Sequence, residues 1–199
     1  MKAPAALALS LSLALSAVTA RAQHGAGGSP LVTSAPAEAK QFDFLLGQWE
    51  IVAYPQVSML AAAIHGAPKL PGTWKAWRAF DGFGVEDEMR LSDDEGNPRS
   101  FTHGMRVFDR AARRWTSTTL DVYRARFQAA TVEWRDGQMA GTANTSGDDG
   151  RPVAVRVRFY DIKPNSFRWQ QDRSYDGGRT WDKATLRIEA TRTAGAARP

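Results

Sequence analysis

The sequence predicts an all-β domain of eight to ten antiparallel strands in up-and-down order, with one short helix between the first strand and the second. Three observations carry that expectation. Apolar residues recur with a period of two through most of residues 42–192, the pattern of strands with one apolar and one wet face. Clusters of Gly, Pro, Asn and Asp interrupt the pattern every 8 to 15 residues or so, as short hairpin connections require. The composition, 43% hydrophobic and 24% charged with seven Trp and no Cys, excludes a collagen-like repeat, a disulfide scaffold and a charge-rich disordered chain. A chain of 199 residues and 21.8 kDa supplies one domain with a real core. A meander of this length folds into a sandwich or closes into a barrel, and closure removes its open edges.

In chain order, Met1 and Lys2 precede an uncharged run from Ala3 to Ala17, which ends in the small residues Val18-Thr19-Ala20-Arg21-Ala22. A short positive start, an apolar stretch and an A-x-A-like site are the pattern of a secretory signal peptide, here residues 1–22 with the cut after Ala22. The run is shorter than the roughly 18 residues that a membrane span needs. The mature chain is therefore expected to be secreted or periplasmic and not membrane-spanning. With no Cys after the run, a lipid anchor on cysteine is excluded, and stability rests on packing alone. Loss of Lys2 and Arg21 leaves 24 basic against 21 acidic residues, a net charge of about +3 instead of +5, which weakens any case for nucleic acid. Residues 23–41, small and free of aromatics, read as a flexible linker. All aromatic residues lie between Phe42 and Trp181, which sets the domain at 42–192; residues 193–199 read as a disordered tail.

The first strand opens at Gly47-x-Trp49. Val57 to His65 follows Pro55, is rich in helix formers, and stops at Gly66 with Pro68 just beyond. Such a helix could cover one barrel mouth or pack on the outside. The second strand is expected near Thr73. Farther on, Val85, Asp87, Met89 and Leu91 alternate with Glu86, Glu88 and Arg90. Phe101, His103, Met105 and Val107 read as one apolar face. Val153, Val155, Val157 and Phe159 oppose Ala154, Arg156, Arg158 and Tyr160, while Leu186, Ile188 and Ala190 oppose Thr185, Arg187 and Glu189. Turn chemistry separates these runs, as at Asp93-Asp94-Glu95-Gly96-Asn97-Pro98, Asp136-Gly137, Lys163-Pro164-Asn165 and Asp176-Gly177-Gly178.

Three patches stand in a recognisable order: Phe42-Asp43-Phe44-Leu45-Leu46-Gly47-Gln48-Trp49, then GMRVFDRAARRWT, then DIKPNSFRWQQDRSYDGGRTW from Asp161 to Trp181. Together they resemble a family of exported bacterial proteins of unknown function with a lipocalin-like (calycin) barrel. That family opens with FDF-x-x-G-x-W and closes with S-x-D-G-G-x-T-W, and the helix at 57–65 is no part of its pattern. The resemblance covers about 42 to 190. It implies an up-and-down barrel with an internal cavity and brings no established activity. Independently of it, Gly47 lets the chain pass close to a neighbour, so that Trp49 can plug a barrel floor and bury on the order of 200 Å².

The candidate site residues follow from the same alternation. Ser174-x-Asp176-x-Gly178-x-Thr180-Trp181 also fits an Asp-box, but a single copy in so short a chain reads as a structural hairpin whose carboxylate accepts backbone N–H groups. No H-E-x-x-H, G-x-S-x-G or P-loop occurs, and no metal site is expected. His103, on a strand face, reads as a core histidine, a pocket polar group or a haem ligand; haem is the one cofactor left open. Asp87 faces inward with Val85 and Met89 and must be paired there, Arg173 being one possible partner. Phe167, Trp169, Gln171 and Arg173 share a face that turns from apolar to polar, as a site for an amphipathic molecule with an acidic head would. If that face points outward, Gln171 and Arg173 are in water instead. Arg156, Arg158 and Tyr160 read as a solvated face with snorkelling arginines, not a nucleic-acid platform.

The reading that joins these features is a binding protein for a small apolar or amphipathic ligand in a barrel cavity lined by Trp77, His103, Trp134, Trp169, Gln171 and Arg173. One alternative is an isomerase- or cyclase-type barrel enzyme on a lipid-like substrate, with Asp87 or His103 as acid or base. Another is a packed barrel that binds an envelope protein. A homodimer is compatible with any of the three.

Overall fold

The computed structural model describes residues 33–147 and 149–193; the expected signal peptide at 1–22, the linker up to residue 32 and the tail from residue 194 lie outside the described residues. The strands are β1 (Gly47–Pro55), β2 (Leu70–Ala79), β3 (Gly84–Ser92), β4 (Pro98–Asp109), β5 (Arg114–Asp121), β6 (Arg126–Arg135), β7 (Gln138–Ser146), β8 (Pro152–Lys163), β9 (Ser166–Ser174) and β10 (Asp182–Arg192). The helix α1 (Met59–His65) joins β1 to β2, and 3-10 segments cover Ala37–Leu45 and Phe80–Gly82. Each strand pairs antiparallel with its sequence neighbours, and β1 also pairs with β10, so the sheet closes into a ten-stranded up-and-down barrel. The fold is a barrel and not a sandwich. The second strand begins at Leu70, earlier than the expected Thr73, because Leu70 still pairs with Ala53 of β1.

Register fixes which side chains point inward. Ile51 lies between Ala190 and Gly72, Trp74 between Trp49 and Met89, and Trp169 between Phe159 and Ile188. The expected inward faces of β3, β8 and β10 are observed. On β4 the phase is the reverse of the expectation: Thr102, Gly104, Arg106 and Phe108 point in, and Phe101, His103, Met105 and Val107 point out. The outward face of this strand is the more apolar of the two, so alternation alone points the wrong way. The choice is made by Asp87, which stands opposite Gly104 and takes Arg106 as its counter-ion, while Phe101 is covered from outside by the Arg90 guanidinium 3.6 Å above its ring.

One end of the barrel is sealed. The Ala37–Leu45 segment, which begins inside the stretch whose composition reads as linker, tucks Ala39, Phe42 and Leu45 into the opening. Arg78 fastens it by donating to the Ala39 carbonyl (2.6 Å) and pairing with Asp43, and the Gln41 amide accepts from Trp115 Nε1 at 3.0 Å. Phe42 meets Trp115 edge to face at 4.8 Å, and Trp49 meets Phe167 at 4.8 Å. Each of these aromatics removes on the order of 200 Å² from water, about 5 kcal/mol at 25 cal/mol per Å². Trp49 Nε1 donates to the Leu45 carbonyl at 2.7 Å, and the Arg192 guanidinium lies 4.0 Å from its ring centre while Nη1 donates to the Leu46 carbonyl at 2.8 Å. Gly47 has φ +110°, and a Cβ there would fall 2.5 Å from Arg192 Nη1. The Gly-x-Trp pair thus plugs the floor, locked by a residue 143 positions later than Trp49.

At the other end α1 is capped by Ser58 Oγ, which accepts from the Ala61 N–H at 3.1 Å, and stops at Gly66. None of its residues is buried, and Met59 is 91% exposed, so the helix stands in water and plugs nothing. The β9–β10 turn is the expected structural hairpin. Asp176 accepts from the N–H groups of Arg179 (3.0 Å) and Thr180 (2.9 Å) and from the hydroxyls of Ser174 (2.8 Å) and Thr180 (2.7 Å). These bonds hold its carboxyl well below the usual carboxylate range, the N–H and hydroxyl of Thr180 contributing most.

Candidate functional site

Three layers stack along the barrel axis above the 3-10 plug. The lowest is the aromatic floor, with Trp49, Trp115, Phe159 and Phe167 buried. Above it lies a charged layer. Asp87 and Arg106 are 3% and 8% exposed and form an ion pair, and Trp74 Nε1 donates to Asp87 Oδ1 at 2.8 Å. Gly104 leaves the room they need, since a Cβ there would stand 2.7 Å from Asp87 Oδ2 and 3.2 Å from Arg106 Nη1. Arg106 also faces the Phe42 ring at 5.3 Å. Burial lowers its guanidinium to about 10, still charged at neutral pH.

In the third layer Met89, Thr102, Thr119, Ala130, Ala143, Val157, Trp169, Gln171 and Leu186 all point inward by register yet are only half-buried. Side chains that face the barrel axis and still touch water set this layer at the open end of the barrel, away from the plug, as the inner rim of a cup. Val153 and Val155 are buried on one side of the cup, and at its rim Gln128 and Arg173 are exposed. Gln171, with its amide oxygen turned to Arg173, accepts from Nε at 2.8 Å and Nη2 at 3.2 Å, so the two polar groups at the mouth are coupled.

Trp169, Gln171 and Arg173 therefore occupy one inward face, with the polar end uppermost. The other nominated residues do not line the cup. Trp77 and His103 stand on the outer surface, 5.9 Å apart between ring centres, where Trp77 Nε1 donates to Glu86 at 3.1 Å and His103 Nδ1 is 3.8 Å from Glu88. Trp77 lost the inward position to Trp74, whose indole N–H satisfies buried Asp87. Trp134 faces the axis but at the floor, 6.1 Å from Phe44, on the far side of the plug from the cup. Asp87 is paired with Arg106 and not with Arg173, and its other oxygen accepts from Trp74 Nε1. His103 outside the wall and His65 on exposed α1 leave no histidine within the domain to ligate a haem in the barrel.

The residue that sequence reasoning missed is Arg106. Its signal was Gly104: a glycine in mid-strand marks close approach by something bulky, and here that is the Asp87–Arg106 pair. On the outside, a polar groove of about 580 Å³ crosses β6 to β10. Its arginines are engaged: Arg135 with Glu133, Arg158 donating to Gln170 at 3.0 Å, and Arg156 over the Trp181 ring at 3.8 Å. Among the described residues no helix is long and apolar enough to cross a membrane.

No protein-family model matches the chain, and no curated protein matches it. Among solved structures, the S-type phycobiliprotein lyase CPES from Guillardia theta superposes with a TM-score of 0.51 at 11% identity, over 77% of this chain and 91% of that one. The structure of EF1p2_mFAP2b bound to DFHBI gives a TM-score of 0.40 at 10% identity, over 79% of this chain and 100% of that one. At this identity the likeness to the lyase is one of fold, that of an antiparallel barrel.

Proposed function

We propose that the barrel is a binding protein for one small apolar or amphipathic molecule, held in the cup with its apolar body against Trp169 and the valines of β8 and any acidic head at Arg173 and Gln171. The observation that carries this reading is the ring of inward, half-buried side chains above a sealed aromatic floor. Apolar surface that remains wet inside a rigid wall gains free energy when a ligand covers it, at about 25 cal/mol per Å². The mouth supplies a cation and an amide in a coupled pair, which orients a ligand that carries an acid. In this proposal the chain is exported on its 1–22 signal and works in the periplasm or outside the cell, like the calycin-type family that its motifs resemble.

The test is a titration of intrinsic Trp fluorescence with fatty acids, isoprenoids and haem, with Trp169→Phe as reporter control. A ligand of micromolar or better affinity whose signal is lost in Trp169→Phe supports the reading. No response from any class would remove its support. Less supports the enzymatic alternative, since Asp87 is paired with Arg106 and Trp74 and His103 stands on the outer face of β4.

A further inference from the structure

The cup is not uniform around its circumference. On one side β4 and β5 contribute Thr102, Ser117 and Thr119; facing them, β8, β9 and β10 contribute Val155, Val157, Trp169 and Leu186, with Gln171 toward the mouth. The hydroxyls of Ser117, Thr102 and Thr119 make no side-chain hydrogen bond among the described residues. Arg106, its side chain only 9% exposed, is committed to Asp87 in the layer below them. Thr102 and Thr119 are half-buried, so their hydroxyls face water that a ligand's polar groups can replace.

Resting on the reading that the cup holds a ligand, we propose that the ligand is a rigid, ring-built molecule with hydroxyl or carbonyl groups along one edge and an unbroken apolar face on the other. Spacing decides against a head-and-tail lipid. Inward positions on one strand are about 6.6 Å apart. Ser117 and Thr119 are one such step apart, and Thr102 on β4 stands one step beyond the level of Thr119, so the three hydroxyls spread over about 13 Å of one wall. A fatty acid carries all its polar atoms at one end and would leave most of these groups without a partner. An edge-polar molecule meets them in register while its other face covers Trp169 and the valines. Asp87 already neutralises Arg106, so the deep wall calls for neutral acceptors and hydroxyls; an acid, if present, belongs at Arg173.

The probes are cholate, hydroxylated along one face, and oleate, a chain of comparable apolar content with the same carboxylate. Each displaces the dye N-phenyl-1-naphthylamine from wild type and from Ser117→Ala/Thr119→Val, with thermal melts to confirm that the variant is folded. The loss of two hydrogen bonds is expected to weaken cholate about tenfold while oleate is unchanged, and Thr119→Ser alone retains wild-type cholate binding. If the double variant does not fold, Thr119→Val against Thr119→Ser gives the same comparison with about a threefold to fivefold effect. Dye binding with no displacement by cholate, or with a cholate-to-oleate ratio the variant does not change, overturns the edge-polar ligand and leaves the binding reading standing. Absence of dye binding removes both.

Discussion

Truncation of either member of the Asp87–Arg106 pair strands a charge within the barrel. Arg106→Leu or Asp87→Ala is expected to lower stability by about 3–5 kcal/mol, read as a fall in urea midpoint at constant m-value, whereas Asp87→Leu/Arg106→Leu together cost less than either alone. Gly104→Ala is expected to destabilise as well, because its Cβ would stand 2.7 Å from a carboxylate that has nowhere to move. Asp176 acts on the pH axis. Its carboxyl is depressed in the folded state, so its stabilisation is present above the unfolded pKa and is lost as pH falls through the folded one. Melting temperatures of wild type and Asp176→Asn should therefore differ at pH 7 and converge as the pH drops below about 4. An unchanged gap at pH 2 to 3 would contradict that assignment.

Among the elements, the 3-10 plug carries stability and α1 does not. Phe42→Ala opens a cavity among three aromatic neighbours, Phe44, Trp115 and Phe159, and is expected to cost about 3–5 kcal/mol in urea unfolding. Gly47→Ala meets both a positive φ and the Arg192 guanidinium, and should cost on the order of 1–3 kcal/mol. By contrast, Met59→Ser/Leu60→Ser/Ile64→Ser on α1 removes side chains that already lie in water and should shift stability by less than about 0.5 kcal/mol per site. The helix itself was legible in the sequence from its helix formers after Pro55 and its stop at Gly66, while its start at Met59 instead of Val57 is set by the Ser58 cap. The plug was not: its residues before Phe42 are small and polar, and only a tertiary contact, Arg78 to the Ala39 carbonyl, shows that the domain begins before its first aromatic.

For the molecule as a whole, alternation in β3, β8, β9 and β10 was enough to predict a rolled antiparallel sheet, because each of those strands has one greasy and one wet face. It failed on β4, whose outward face is the more apolar one, and at Trp77, where each face of β2 holds a Trp; in both places the cross-strand partner decides. Those are the places where ligand-lining residues were misassigned, and where Arg106 was hidden behind Gly104. Closure of β1 on β10 then produces a barrel with a sealed floor, a charged layer and an open cup. The most direct test of that account is stoichiometric binding of N-phenyl-1-naphthylamine to wild type and to Ala143→Trp, whose indole would fill the cup from the wall without touching floor or mouth. The account predicts one dye per wild-type chain and at least tenfold weaker binding to a folded Ala143→Trp. Equal binding by both proteins would contradict it.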